Sequence, residues 1–135
     1  DYIRTGIPET PVVADPRRAR ELLWQAAANF GEPNAQFKLG DMYLLGEGGP
    51  ADPRKAAQWF NLAAQKGHAG AQAKLGHLLF ERGKTVRGLA YMTEALANAS
   101  PEDRPWIRRM QEDAFAVSSE GDRRTAIALT QTAAQ

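Results

Sequence analysis

The stretch Asp52-Pro53-Arg54-Lys55-Ala56-Ala57-Gln58-Trp59-Phe60-Asn61-Leu62-Ala63-Ala64 decides the fold. An aspartate side chain accepts hydrogen bonds from the free N–H groups of a first helical turn. The proline that follows suits the first helical position, where no N–H is needed. Ala56, Trp59, Ala63 and Ala64 then fall at i+4, i+7, i+11 and i+12 from the aspartate, on one face of a helix. The alanines let a neighbouring helix approach, and the large residue fills the space beside them. The same spacing recurs at Asp15 with Ala19, Leu22 and Ala26-Ala27, and at Asp122 with Ala126, Leu129 and Ala133-Ala134. A weaker copy has Gly88, Tyr91 and Ala95-Leu96, with Lys84 in place of the aspartate, so its helix start is expected to be less well capped.

A second element alternates with the first. Ala35-Gln36-Phe37-Lys38-Leu39-Gly40, followed by Tyr43 and Gly46, returns 36 residues later as Ala71-Gln72-Ala73-Lys74-Leu75-Gly76, followed by Leu79. Positions 35, 39, 42 and 43 form a helical stripe, as do 71, 75, 78 and 79. Gly40 and Gly76 sit inside these helices, where glycine costs ~1 kcal/mol against alanine. The same cost at the same place twice points to close helix contact.

The alternation predicts helices at about 16–29, 33–45, 53–66, 70–82 and 84–98. Ser100-Pro101 then caps the entry to a helix carrying Trp106, Ile107, Met110, Ala114 and Val117, with Pro105 in its first turn. Gly121-Asp122 is expected to break that helix and start the last one. The reading is an all-α fold of about seven helices stacked as hairpins. Its last unit is atypical, as in solenoids whose end must face water.

Leu39-Gly40, Tyr43, Gly46 and Gly48, then Asp52, Lys55-Ala56, Trp59-Phe60, Ala63-Ala64 and Gly67-His68, resemble a full Sel1-like repeat, a relative of the tetratricopeptide repeat with a longer glycine-containing loop. The resemblance implies an α-solenoid of Sel1-like hairpins wound as a right-handed superhelix. Residues 1–135 are then one repeat domain, a piece of a longer protein, because the chain starts at Asp1 and Asp1–Gly6 reads like the tail of a helix. It divides into a partial repeat at 1–31 that lacks its first helix, a full repeat at 32–67, a short repeat at 68–99 and a divergent helical hairpin at 100–135.

A closer resemblance runs through Asn29-Phe30-Gly31-Glu32-Pro33-Asn34-Ala35-Gln36-Phe37, Leu45-Gly46-Glu47-Gly48-Gly49, Gly88-Leu89-Ala90-Tyr91-Met92-Thr93 with Ser100-Pro101, and Asp122 to Leu129. These stretches are similar to the ExoR-type family, regulators of exopolysaccharide synthesis in rhizobia and related α-proteobacteria. That resemblance implies a periplasmic protein that binds the sensor domain of a membrane histidine kinase and holds the kinase off. The alternative is a Sel1-repeat scaffold that assembles envelope protein complexes without a signalling role.

Composition narrows the remaining classes. Hydrophobic residues at 43% and charged residues at 24% are ordinary for a folded domain, so disorder is not expected. A net charge of +1 provides no overall field towards nucleic acid or an acidic membrane. The absence of cysteine excludes disulfides, thiol catalysis and cysteine zinc sites. No apolar run approaches the ~20 residues that span a bilayer, so direct membrane insertion is not expected.

Other candidates each have a plainer reading. Gly46-Glu47-Gly48-Gly49-Pro50 lacks the Gly-Lys-Ser/Thr ending of a phosphate loop and reads as the inter-helix loop. His68 and His77 have no carboxylate at metal spacing. Glu47, Asp52, Glu102 and Asp103 sit near turns as caps or solvated groups, and Ser118-Ser119 lacks a partner base. Arg17-Arg18, Arg108-Arg109 and Arg123-Arg124 read as solvated surface rather than a nucleic-acid site. No enzyme activity and no cofactor is expected.

In Sel1-type folds the first helix of each hairpin lines the concave face. Setting aside the core stripe leaves Asn34, Phe37, Asp41 and Leu44 on one such helix and Gly70, Ala73, His77 and Phe80 on the next. Members three or four residues apart form a strip. Phe37, Leu44 and Phe80 are apolar where a solvated face would be polar, which suits a partner's helix or extended segment. The competing reading packs Phe37 and Phe80 against the adjacent repeat. His77 beside such a groove would make partner affinity sensitive to mild acid.

Overall fold

The structure, a computed structural model, describes residues 15–134. The reading of Asp1–Gly6 as a helix tail, and of a first repeat without its first helix, lies outside the described residues. Seven helices and no strand are present among the described residues: α1 Pro16–Asn29, α2 Pro33–Leu45, α3 Pro53–Gln65, α4 Ala69–Glu81, α5 Thr85–Asn98, α6 Arg104–Ala116 and α7 Glu120–Ala134. None of them is long and apolar enough to cross a membrane. The fold is an all-α helical repeat.

The helix starts follow from local chemistry. Asp15 accepts from the Arg18 N–H at 3.3 Å, and Asp52 from the Lys55 N–H at 3.2 Å. Proline after each aspartate drives it out of the helical region, with φ,ψ of −96°,94° at Asp15 and −149°,89° at Asp52. Lys84 at the head of α5 makes no side-chain cap, as its chemistry requires. The last start departs from expectation. α7 begins at Glu120, and Ser119 Oγ, not Asp122, accepts a first-turn N–H, that of Asp122 at 3.1 Å. Asp122 is followed by Arg123 rather than proline, so nothing bars the helix from extending back past it. Ser100 likewise accepts from the Asp103 N–H at 3.3 Å within a turn, and α6 starts only at Arg104.

Packing follows chain order from α1 to α5, each helix lying against the next. α6 then crosses α4 and α5, and α7 packs on α5. Trp59 of α3 packs on a cluster of Ala27, Ala35 and Leu39, and Phe60 of α3 is fully buried among Ala56, Ala63, Ala71 and Leu75. Burying such a side chain stabilises by about 1.5–3 kcal/mol. Leu89 and Met92 of α5 meet Ala114 of α6 and Ala126 of α7 in a further cluster. The helical glycines mark the closest approaches. A Cβ on Gly40 would lie 2.6 Å from the Phe60 ring, and one on Gly76 would lie 2.8 Å from the Gly88 carbonyl oxygen. Gly88 replaces the alanine of the repeat because the backbones of α4 and α5 meet there.

Candidate protein-binding site

The strip on α2 is largely committed to the fold. Phe37 is half-buried, tilted against Phe60 with ring centroids 5.8 Å apart and stacked on His68 at 4.7 Å. It packs on the adjacent repeat, which is the competing reading of that residue. Leu44 is half-buried against the same core cluster. Asn34 is exposed, with its Oδ1 2.9 Å from His68 Nε2. Asp41 pairs with Lys74 of α4 at 3.4 Å. Its Oδ1 is shielded from solvent and meets no donor in hydrogen-bonding geometry, so the ion pair is what offsets its burial.

On α4 the strip divides. Gly70 is buried beneath Phe37 and His68. Ala73 is fully buried with Ala95 and Ile107. This corrects the expectation that Ala73 faces a partner: α6 lies over it and brings Ile107 down onto it. His77 is exposed and Phe80 half-buried. Both line an open cleft of about 380 Å³ between α4 and α6. Trp106 and Met110 of α6 complete its apolar floor, and Glu81, Arg109 and Asp113 stand at its rim. Trp106 is held by its Nε1–H, which donates to Asp103 Oδ1 at 2.9 Å, and Lys74 Nζ lies 5.7 Å from its ring centroid. Lys74 thus ties Asp41 on α2 to the wall of the cleft.

The α6 contribution was visible in sequence only as a helical stripe. Ile107 and Ala114 of that stripe are buried, Trp106 and Met110 are half-buried in the cleft, and Val117, just beyond the helix, is 76% exposed. Two further sets of residues escaped sequence reasoning. Gln36 and Gln72 are buried, and each amide donates to the carbonyl of the preceding helix, Ala27 O and Ala64 O, both at 3.3 Å. Their recurrence 36 residues apart was the available signal. Arg20 donates to Glu47 O at 2.8 Å and Met42 O at 3.0 Å and stacks on Tyr43 at 4.2 Å. It therefore pins the glycine loop, where Gly48, at φ 77°, lies against the backbone of Pro16 and Arg17.

Three of the remaining sequence candidates, His68, Arg123 and Arg124, have structural employment. His68 Nδ1 accepts from the Ala71 N–H at 3.1 Å, so it caps α4, and its proton sits on Nε2, which donates to Asn34. Burial pushes the His68 pKa below the ordinary 6.5, against the opposing pull of Asp103 and Glu32. Arg123 donates to Phe115 O at 2.9 Å and Ser118 O at 3.1 Å, closing the end of α6. Arg124 pairs with Glu120 at 3.3 Å.

Comparison with known proteins adds a family and two near relatives. A family model described as the Sel1 repeat matches residues 3–29, 33–68 and 69–97. The exopolysaccharide production negative regulator of Rhizobium meliloti (strain 1021) is 52% identical over 130 residues, covering 96% of this chain and 48% of the relative. That of Rhizobium leguminosarum bv. viciae is 48% identical over 134 residues, covering 99% of this chain and 50% of the relative. A putative ERAD-associated E3 ubiquitin-protein ligase component of Schizosaccharomyces pombe is 29% identical over 109 residues, 76% of this chain and 15% of that protein. The chain spans about half the length of the two rhizobial relatives.

Proposed function

The chain belongs to the Sel1 repeat family, and from that premise we propose that it is a binding protein, not an enzyme, that acts as a negative regulator of exopolysaccharide production. In this reading it takes hold of a protein partner, the periplasmic domain of a membrane sensor histidine kinase, and keeps that kinase inactive. The observation that carries it is the open α4–α6 cleft, in a chain that aligns along 96% of its length with an exopolysaccharide production negative regulator. Half-buried Trp106, Met110 and Phe80 offer the aromatic and thioether surface on which binding energy concentrates. The charged rim sets orientation more than affinity. A repeat fold suits this work, because stacked hairpins build an extended surface without any catalytic cluster.

The test is capture of the purified periplasmic sensor domain by the purified chain, read by calorimetry. His77→Ala and Met110→Ala should each weaken capture by about tenfold, the effect of losing ~1.4 kcal/mol at an interface. The melting temperature of His77→Ala should stay within a few degrees of the parent, while that of Met110→Ala, which also packs on two core clusters, should fall by more with the helices intact. A sensor domain that the parent does not capture, or capture by both variants as tight as the parent's, would overturn the reading.

A further inference from the structure

We propose that the outer face of α6 recognises an acidic, amphipathic segment of the partner. Its carboxylates would lie on Arg104, Arg108 and Arg109, and an apolar side chain would enter the floor made by Trp106, Met110 and Phe80. The inference rests on the protein-binding reading and adds the chemistry of what is bound.

Three observations carry it. First, Arg20, Arg123 and Arg124 are engaged within the fold, on loop carbonyls, on the end of α6 and on Glu120, whereas three arginines without such a partner stand together on α6. The guanidinium groups of Arg104, Arg108 and Arg109 are exposed and make no ion pair, hydrogen bond or ring contact with the described residues. Second, their placement costs stability. Arg104 stands in the first turn of α6, at the positive end of the helix dipole. Arg108 follows it at i+4, where like charges repel. Glu112, at i+4 from Arg108, offsets part of this, and a bound carboxylate would offset more. Third, the two faces are continuous. Arg104 and Arg108 line a cleft of about 570 Å³ on one flank of α6, the apolar floor lies in the cleft on the other flank, and Arg109 lines both.

The ligand is a peptide rather than a uniform polyanion. Glu112 lines the arginine cleft, and Glu81 and Asp113 stand at the rim of the apolar one. A nucleic acid or a polyuronate, charged at every unit, would meet these carboxylates. A peptide can space its acidic residues to meet the arginines alone and place an apolar side chain between them. Arginine forks grip carboxylates in pairs of parallel hydrogen bonds, which gives such a segment a fixed register.

The experiment titrates the 15N-labelled chain with a synthetic peptide of about twelve residues that alternates Glu or Asp with Leu and Phe. A Lys-for-Glu counterpart, an oligouridylate and a polygalacturonate serve as comparisons. The acidic peptide should move the α6 amides and the Trp106 indole signal, and its affinity should fall at least tenfold between about 50 and 300 mM salt, as the Debye length shortens. The triple variant R104Q/R108Q/R109Q should lose at least tenfold in affinity at a melting temperature equal to or slightly above the parent's. Unmoved signals, equal binding of the basic peptide or of either polyanion, or undiminished binding by the triple variant would overturn the proposal. Sensor-domain capture that ignores the triple substitution also overturns it while leaving the proposed function standing. Acidic-peptide binding without sensor-domain capture removes the kinase as partner and supports the recognition chemistry.

Discussion

Gly76→Ala tests the close approach of α4 and α5. In an isolated helix the change is favourable by ~1 kcal/mol, because glycine has the larger backbone entropy to lose. In the folded chain the new Cβ would sit 2.8 Å from the Gly88 carbonyl oxygen and 2.9 Å from Tyr91 Cβ. An ordinary contact needs ~3.5 Å, so the neighbours must retreat by roughly half an ångström or more. Neither can swing aside, since one is backbone and the other is the first atom of a side chain. The two helices therefore separate. A gap of that size forfeits about a quarter of each dispersion contact along the seam, and overpacking a dense core costs about 1–3 kcal/mol. Taking the upper half of that range against the propensity gain leaves a net loss of about 1–2 kcal/mol. For a chain of this size the melting temperature should fall by roughly 4–8 °C. Gly121→Ala is the internal control: it lies in α7, and its Cβ would meet nothing within 4 Å. That variant should gain a few tenths to ~1 kcal/mol. Urea and thermal melts of the two variants beside the parent decide the matter. A Gly76→Ala protein as stable as the parent, or the two variants shifting alike, would refute the argument.

Two further outcomes follow from the capping and loop contacts. His68 is held below its ordinary pKa of 6.5 by burial, so in the acid range the unfolded chain binds more protons than the folded one. Its contribution is fully present above pH 6.5 and declines as pH falls through that value; His68→Asn, which keeps a capping acceptor, should flatten the stability profile between pH 7.5 and 5.5, and an unaltered profile in urea melts would contradict this. Arg20→Ala should cost about 1.5–3 kcal/mol through lost charged hydrogen bonds and speed hydrogen exchange across residues 46–50, and Arg20→Lys should not restore it, because an ammonium cannot span two carbonyls while stacked on Tyr43; unaltered exchange in that loop would show that Arg20 does not hold it.

Much of the architecture was legible because the signals are local. An aspartate followed by proline caps a helix whatever surrounds it, and the starts at Pro16 and Pro53 are where that chemistry puts them. The α7 start was misplaced at Asp122 because the repeat spacing was followed where its proline was missing. The candidate site was only half legible. His77 and Phe80 do line a cleft, but its other wall is α6, whose helical stripe looks the same whether it faces a core or a groove.

The amino-acid sequence by itself determined the seven helices among the described residues, their order and their Sel1 repeat, since capping and apolar periodicity act within about a dozen residues. Tertiary structure alone decided that α6 lies across α4, that Ala73 is sealed beneath it while His77 stays open, and that burial lowers the pKa of His68. It also decided whether an alanine at a helical glycine helps or harms. Those outcomes depend on the volume of side chains distant in the chain, which fix how closely helices approach and which faces they leave to solvent. The glycines at 40 and 76 with which the repeats announced close contact acquired their partners, Phe60 and Gly88, only when the helices met.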